Sequence, residues 1–267
     1  MNGDGYSDVI VGARMYDAGF ANEGRAYLYL GSATGLADAP VWTANGGTAN
    51  AYFGHRVSGA GDVNGDGYCD VIVGASGYSN GEANEGAVFV FHGSALGLSL
   101  TPDWSYEANM ANASLGLALG MAGDVNGDGY SDVIVGAFGY DASKGRAWVF
   151  HGSASGLSLA PNWTGSGVLD GTEFGFSTAS AGDVNGDGYS DVIVGADRFT
   201  DGQSEEGAVF VYYGSASGLN AAAAWIYQAN LADALLGTSV RTAGDVNGDG
   251  YSDIIVGAPL FSNGEAG

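Results

Sequence analysis

The nine-residue phrase Asp-Val-Asn-Gly-Asp-Gly-Tyr-Ser-Asp stands at 62–70, 124–132, 183–191 and 245–253, with Cys69 replacing the Ser in the first of these. A clipped fifth copy runs from Met1 to Asp8. The complete copies lie 62, 59 and 62 residues apart, and Trp42, Trp104, Trp163 and Trp225 keep the same spacing, as do the Gly-Ser-Ala-Xaa-Gly-Leu segments starting at Gly31, Gly93, Gly152 and Gly214. A fixed period in this range means stacked supersecondary units, none of which can bury its apolar face alone.

One unit reads as follows. An alternating stretch at 53–60 leads into the loop at 62–70, and a short apolar run follows at 71–75. After a polar stretch comes a second run at 87–91, then a Gly-rich turn and a segment around Trp104. Each run is four to eight residues long, rich in β-branched or aromatic types and bounded by turn residues, which predicts four strands. The second and third are continuously apolar, as a strand is when both its faces are covered. A β-sandwich would instead alternate apolar and polar residues in most strands. The fold expected is therefore all-β, a β-propeller of four-stranded antiparallel blades forming one domain. Its divisions are a partial blade 1–52, blades 53–114, 115–173 and 174–235, and a partial blade 236–267, about four and a quarter blades in all. Such a stack leaves strand edges and an apolar blade face bare. Two arrangements would complete it: a longer chain of which this is a part, or two copies closing head to tail.

The repeated loop has the composition of a hard-cation site. Calcium takes six to eight oxygen ligands, and here oxygen-bearing side chains fall at loop positions 1, 3, 5 and 9, with Gly at 6 for the tight turn and the carbonyl at 7 as a further donor. The ligand sets this predicts are Asp62, Asn64, Asp66, Tyr68 and Asp70; Asp124, Asn126, Asp128, Tyr130 and Asp132; Asp183, Asn185, Asp187, Tyr189 and Asp191; and Asp245, Asn247, Asp249, Tyr251 and Asp253, each Tyr through its carbonyl. An incomplete set, Asn2, Asp4, Tyr6 and Asp8, opens the chain. Asn-Gly and Asp-Gly also mark plain hairpin turns. A turn, however, requires no acid at position 9, and three clustered carboxylates repel one another until a cation joins them. Flexible oxygen-only ligation favours calcium over magnesium. An EF-hand is excluded, because position 12 is Val73, Val135, Val194 or Val256 and the loop leads into a β-run.

Composition narrows the partners. With 46% hydrophobic residues the chain can bury a large core despite 49 glycines. Thirty acids against seven Lys and Arg give a formal charge of −23, a field that repels nucleic acid and anionic membranes. No apolar stretch approaches membrane-spanning length, so neither nucleic-acid binding nor membrane insertion is expected. Cys69 is the only cysteine and occupies a Ser-equivalent position, which excludes an internal disulfide.

No catalytic constellation is evident, and the chain is expected not to be an enzyme. Gly152-Ser153-Ala154-Ser155-Gly156 has the outline of a nucleophile elbow, but Ala stands at its centre. His92 and His151 are repeat-equivalent and so belong to different blades, and His55 has no acidic neighbour at a zinc-site spacing.

Taken together, these residues resemble FG-GAP repeats, the blades of the integrin α-chain propeller and of many secreted bacterial proteins. The Phe-Gly element stands at Phe53-Gly54 and Phe174-Gly175, with Leu115-Gly116 and Leu236-Gly237 as variants, and the Gly-Ala-Pro element is intact at Gly257-Ala258-Pro259. The resemblance covers the whole chain. It implies a calcium-binding propeller at the cell surface or outside the cell, a scaffold for adhesion or ligand binding. An accessory propeller of a larger secreted hydrolase or lyase, or a sugar-binding lectin, are the alternatives. It also implies a protein or glycan ligand on the face opposite the ion loops. Tyr16, Tyr78, Tyr140, Phe199 and Phe261, each four residues past the second-strand Gly, stand near that face as candidate contacts or as covers for their hairpins.

Overall fold

A computed structural model describes residues 1–262 and contains five antiparallel sheets. Strands β1 (Val9–Ala13), β2 (Arg25–Tyr29) and β3 (Trp42–Asn45) form the first. Three four-stranded sheets follow: β4 (Phe53–Gly61), β5 (Asp70–Ala75), β6 (Ala87–Phe91) and β7 (Trp104–Glu107); β8 (Ala118–Gly123), β9 (Asp132–Ala137), β10 (Arg146–Phe150) and β11 (Trp163–Ser166); β12 (Ser177–Gly182), β13 (Asp191–Ala196), β14 (Ala208–Tyr212) and β15 (Trp225–Gln228). The last sheet pairs β16 (Ser239–Gly244) with β17 (Asp253–Gly257). In every sheet the strand order follows the chain, so each blade is a meander, and the all-β propeller expected from the sequence is the fold observed. The sequence-based end of the last blade, at 267, lies outside the described residues.

Blades meet most closely through their first strands, β4 against β8, β8 against β12 and β12 against β16, so these strands line the axis and the sheets fan outward. All six residues of β5, β9 and β13 are buried, which accounts for their unbroken apolar sequence. One backbone contact explains two sequence elements together. A Cβ on Gly74 would collide with the carbonyl of Gly116 in the next blade, and Gly136 and Gly195 meet Gly175 and Gly237 in the same way. The second-strand Gly and the Gly of Phe-Gly are thus the two sides of one close approach.

Each first strand is also tied to the preceding blade. Isolated parallel bridges join Gly24 to Phe53, Gly86 to Leu115, Gly145 to Phe174 and Gly207 to Leu236. Fourth-strand tryptophans add a second tie: the indole N–H of Trp42, Trp104 and Trp163 donates to the carbonyl of Ser99, Ser158 and Asn220 in the following blade.

The space between blades holds an aromatic ring drawn from either of two positions. Where the fourth strand carries Ala44 or Gly165, the next blade begins with Phe53 or Phe174, whose rings lie 5.7 Å from Phe89 and 5.4 Å from Phe210. Where the fourth strand carries Tyr106, the next blade begins with Leu115, and the Tyr106 ring lies 4.8 Å from Phe150 instead. The outermost faces are less covered: Val9 and Val11 on one side, and Trp225, Ile226, Tyr227 and Ile255 on the other, are exposed.

Candidate metal centres and the opposite face

In each complete loop the first Asp folds the turn around itself. Asp62 Oδ1 accepts the N–H groups of Gly65 and Asp66 at 2.7 and 3.1 Å, and its Oδ2 accepts that of Gly67 at 2.8 Å. Asn64 Oδ1 accepts the Asp66 N–H at 3.1 Å, while Asp66 Oδ1 accepts that of Tyr68 at 2.9 Å. The same bonds recur around Asp124, Asp183 and Asp245. They place the side-chain oxygens of positions 1, 3 and 5 along one turn.

The ninth-position Asp is set deeper. Asp70 is fully buried; its Oδ2 accepts the Val63 N–H inside the loop, and its Oδ1 accepts the Gly93 N–H from the turn between the third and fourth strands. Asp132 and Asp191 make the equivalent pairs with Val125 and Gly152, and with Val184 and Gly214. Position 9 therefore locks the loop to its own blade, a role that its loop spacing alone does not reveal. Asp8 accepts the Gly31 N–H in the clipped copy.

These loops fit a hard cation by the chemistry of their donors. Every polar side-chain group at positions 1, 3, 5 and 9 presents oxygen, and each carboxylate as a whole retains lone-pair capacity beyond its N–H bonds, at position 1 on Oδ2, since Oδ1 already accepts two. Burial pushes Asp132 up to about 7, against the N–H groups of Gly152 and Val125, and the Asp128 and Asp124 charges push it further the same way. A divalent cation relieves that repulsion. Among the described residues no three Asp, Glu, His or Cys side chains converge as a ready-made cage; the carboxylates are turned to backbone N–H groups.

Successive loops are fastened to one another, which the sequence reading did not foresee. The Ser131 N–H donates to the Asp62 carbonyl at 2.9 Å, and its Oγ accepts the Asp62 N–H at 3.2 Å. Ser190 holds Asp124 in the same way. The position-7 ring crosses to the preceding loop as well: Tyr130 lies over Gly65, Tyr189 over Gly127 and Tyr251 over Gly186. Cys69 occupies the Ser position in its loop, and its Sγ contacts the Asp70 carbonyl at 3.4 Å.

In a meander, alternate connections lie at opposite ends. The ion loops share one end with the turns after third strands, as the Asp70–Gly93 bond shows. The hairpins after second strands share the other with the blade-to-blade connections, where Asn84 Nδ2 donates to Asn112 Oδ1 at 3.4 Å. Four of the five candidate aromatics in these hairpins pack on third-strand rings: Tyr16 on Tyr27, Tyr78 on Phe89, Tyr140 on Trp148 and Phe199 on Phe210. Phe261 is more than half exposed. The same face carries a side-chain chain drawn from two blades, in which Arg14 contacts His55 Nε2 at 2.6 Å and His55 Nδ1 meets Ser76 Oγ at 2.5 Å. Arginine can only donate, so Nε2 accepts and the ring proton sits on Nδ1, pointing at Ser76.

The FG-GAP repeat family matches residues 1–29, 53–91, 117–150, 174–212 and 236–267. Integrin alpha-5 of Xenopus laevis is 34% identical over 174 residues, which are 61% of this chain and 16% of that protein. Integrin alpha-V of Gallus gallus is 30% identical over 219 residues, 78% of this chain and 20% of that protein. Phosphatidylinositol-glycan-specific phospholipase D of Bos taurus is 33% identical over 221 residues, 76% of this chain and 26% of that protein. The chain thus spans about a quarter or less of each of these relatives. The matched segments run through all five sheets and carry every ion loop, so the chain belongs to the FG-GAP repeat family as an integrin-alpha-like β-propeller.

Proposed function

We propose that this chain is a calcium-stabilised, non-enzymatic propeller that displays a ligand-binding face outside the cell, with 53–114, 115–173 and 174–235 as its repeating units. The observation that supports it is the loop that recurs in every blade with oxygen-only donors, crossed by a Tyr of the next loop and, from 62–70 onward, bonded by that loop's Ser as well. An ion at positions 1, 3, 5, 7 and 9 would stiffen the surface onto which the neighbouring blade packs, so metal binding and blade association become one equilibrium. Calcium at about 1 mM, as outside cells, fills sites with dissociation constants of about 10⁻⁴ to 10⁻³ M.

Hydrogen-bond sense supports the non-enzymatic reading. Ser76 with His55 is the pairing nearest to a nucleophile and base on the candidate face, but the imidazole donates to the hydroxyl and cannot take its proton. Thermal melts in calcium, in magnesium and in chelator test the calcium reading. Each site filled to a hundred times its dissociation constant adds about 2.7 kcal/mol, so a large calcium-specific rise in midpoint is expected. Equal midpoints in all three would refute it.

A second reading, an accessory propeller beside a hydrolase domain, draws on the similarity to the bovine phospholipase D. It predicts catalytic sequence encoded next to this segment.

A further inference from the structure

The hairpin face holds a cavity of about 420 Å³ whose walls include Arg14, Tyr52, His55, Asn112 and Phe138. His55 is shared with a second hollow of about 320 Å³ at the first strands, beside Arg56, Phe176 and Thr238. His55 thus borders both hollows, with Arg14 in the wall of the first and Arg56 in that of the second.

Cations are scarce in this chain, yet three of its seven Lys and Arg gather here or close by. Arg241, from the last sheet, is near enough that its charge adds to burial in lowering the Arg56 pKa. Among the described residues none of Arg14, Arg56 and Arg241 forms an ion pair with a carboxylate, although the chain carries 30 acids. His55 is held below its ordinary value by burial and then by Arg14 and Arg56, so it stays neutral. Like charges brought together without a counter-charge cost free energy that an anion recovers. The overall negative charge does not veto this, because at physiological salt the field beyond about 8 Å is largely screened.

We propose that this face receives a carboxylate side chain, a Glu or Asp of a protein ligand, at Arg14 beside His55, with Arg56 in the adjoining hollow adding its charge. Arg14 and Arg56 each share a hollow with the same residue, His55, rather than lining an extended track, which suits a single carboxylate better than a polyanionic glycan. Arg14 supplies the planar fork for two parallel bonds. The Phe138–Phe176 pair, 5.6 Å apart, and the Asn112 amide offer apolar and polar contacts to the flanking peptide. The proposal rests on the ligand-scaffold reading above but not on the calcium assignment.

The test is a titration of the full chain, ¹⁵N-labelled at histidine, in calcium. The probes are a blocked tripeptide with central glutamate, its glutamine counterpart, and oligoglucuronate. The glutamate peptide is expected to shift the His55 ring resonances and to bind at least about tenfold more tightly than the glutamine peptide, the scale of one charge-assisted contact. His92 and His151, which lie toward the ion-loop end, should not move. Arg14→Gln and Arg56→Gln should each weaken binding about tenfold, and Arg14→Lys, which keeps the charge but not the fork, should recover only part. Equal binding of both peptides, or unchanged affinity in both Gln variants, overturns the proposal; tighter binding of oligoglucuronate overturns the choice of a peptide. Should melts of the same samples show no calcium effect while His55 still responds, the calcium assignment alone fails.

Discussion

Tyr130 lies across Gly65, its Cε1 standing 2.5 Å from where a Cβ on that glycine would be. Gly65 also has a φ of +74°, whereas Gly67, two residues on with a φ of +89°, has nothing within 4 Å of its Cβ position. The pair separates backbone strain from inter-blade crowding. Gly67→Ala should cost about 1 kcal/mol for the left-handed conformation. Gly65→Ala should cost about 2 to 4 kcal/mol, because the Tyr130 ring must also move. Urea denaturation in calcium reads both, and equal losses would show that the ring is not held there.

Asp124→Asn tests the metal separately from the turn. The Asn amide cannot replace both accepting oxygens, so one N–H among Gly127, Asp128 and Gly129 loses its partner, at about 1 kcal/mol in chelator. In calcium the loss should grow to about 4 kcal/mol, since the site's linked stabilisation disappears too. The same loss under both conditions would mean that this loop binds no ion.

The exchange of ring source between blades predicts a compensating pair. Phe53→Leu alone should leave a cavity beside Phe89 and cost about 1 kcal/mol or more. Combined with Ala44→Tyr it recreates the Tyr106–Leu115 arrangement of the next junction. The double variant should be more stable than Phe53→Leu, with a coupling of about 1 kcal/mol in a double-mutant cycle. Simple additivity would refute the exchange.

Asp197 should make stability depend on pH. It is buried, its Oδ1 has no partner, and burial raises its pKa to about 6, against the pull of Arg198. A carboxyl whose folded pKa lies above its unfolded value near 4 favours folding most below that value, and its contribution falls as pH rises to about 6. Asp197→Asn should therefore gain stability relative to the parent as pH rises from 4 to 7. Urea titrations at both ends check this, and a difference that does not grow with pH would place the cost elsewhere.

Much of this fold is legible because the repeat exposes it: the runs at 71–75 and 87–91 became β5 and β6, and the loop fell between a first and second strand as expected. What crosses between blades was not. Ser131 and Asp62 are 69 residues apart, and nothing local marks a loop serine as a partner for another loop's backbone. The hairpin aromatics gave a visible period, yet Tyr78 and Phe199 turned to their own third strands. Arg14 and Ser76 are repeat-equivalent, 62 residues apart, but no spacing marks His55 as the side chain that joins them; the packing of one blade on the next does that.

The bridges from Gly24 to Phe53 and onward bind each entering strand to the blade it has just left. Pulled from its two ends, the chain could not release a blade without breaking a neighbour's edge as well. Resistance to tension would then be shared along the arc rather than set by its weakest vane.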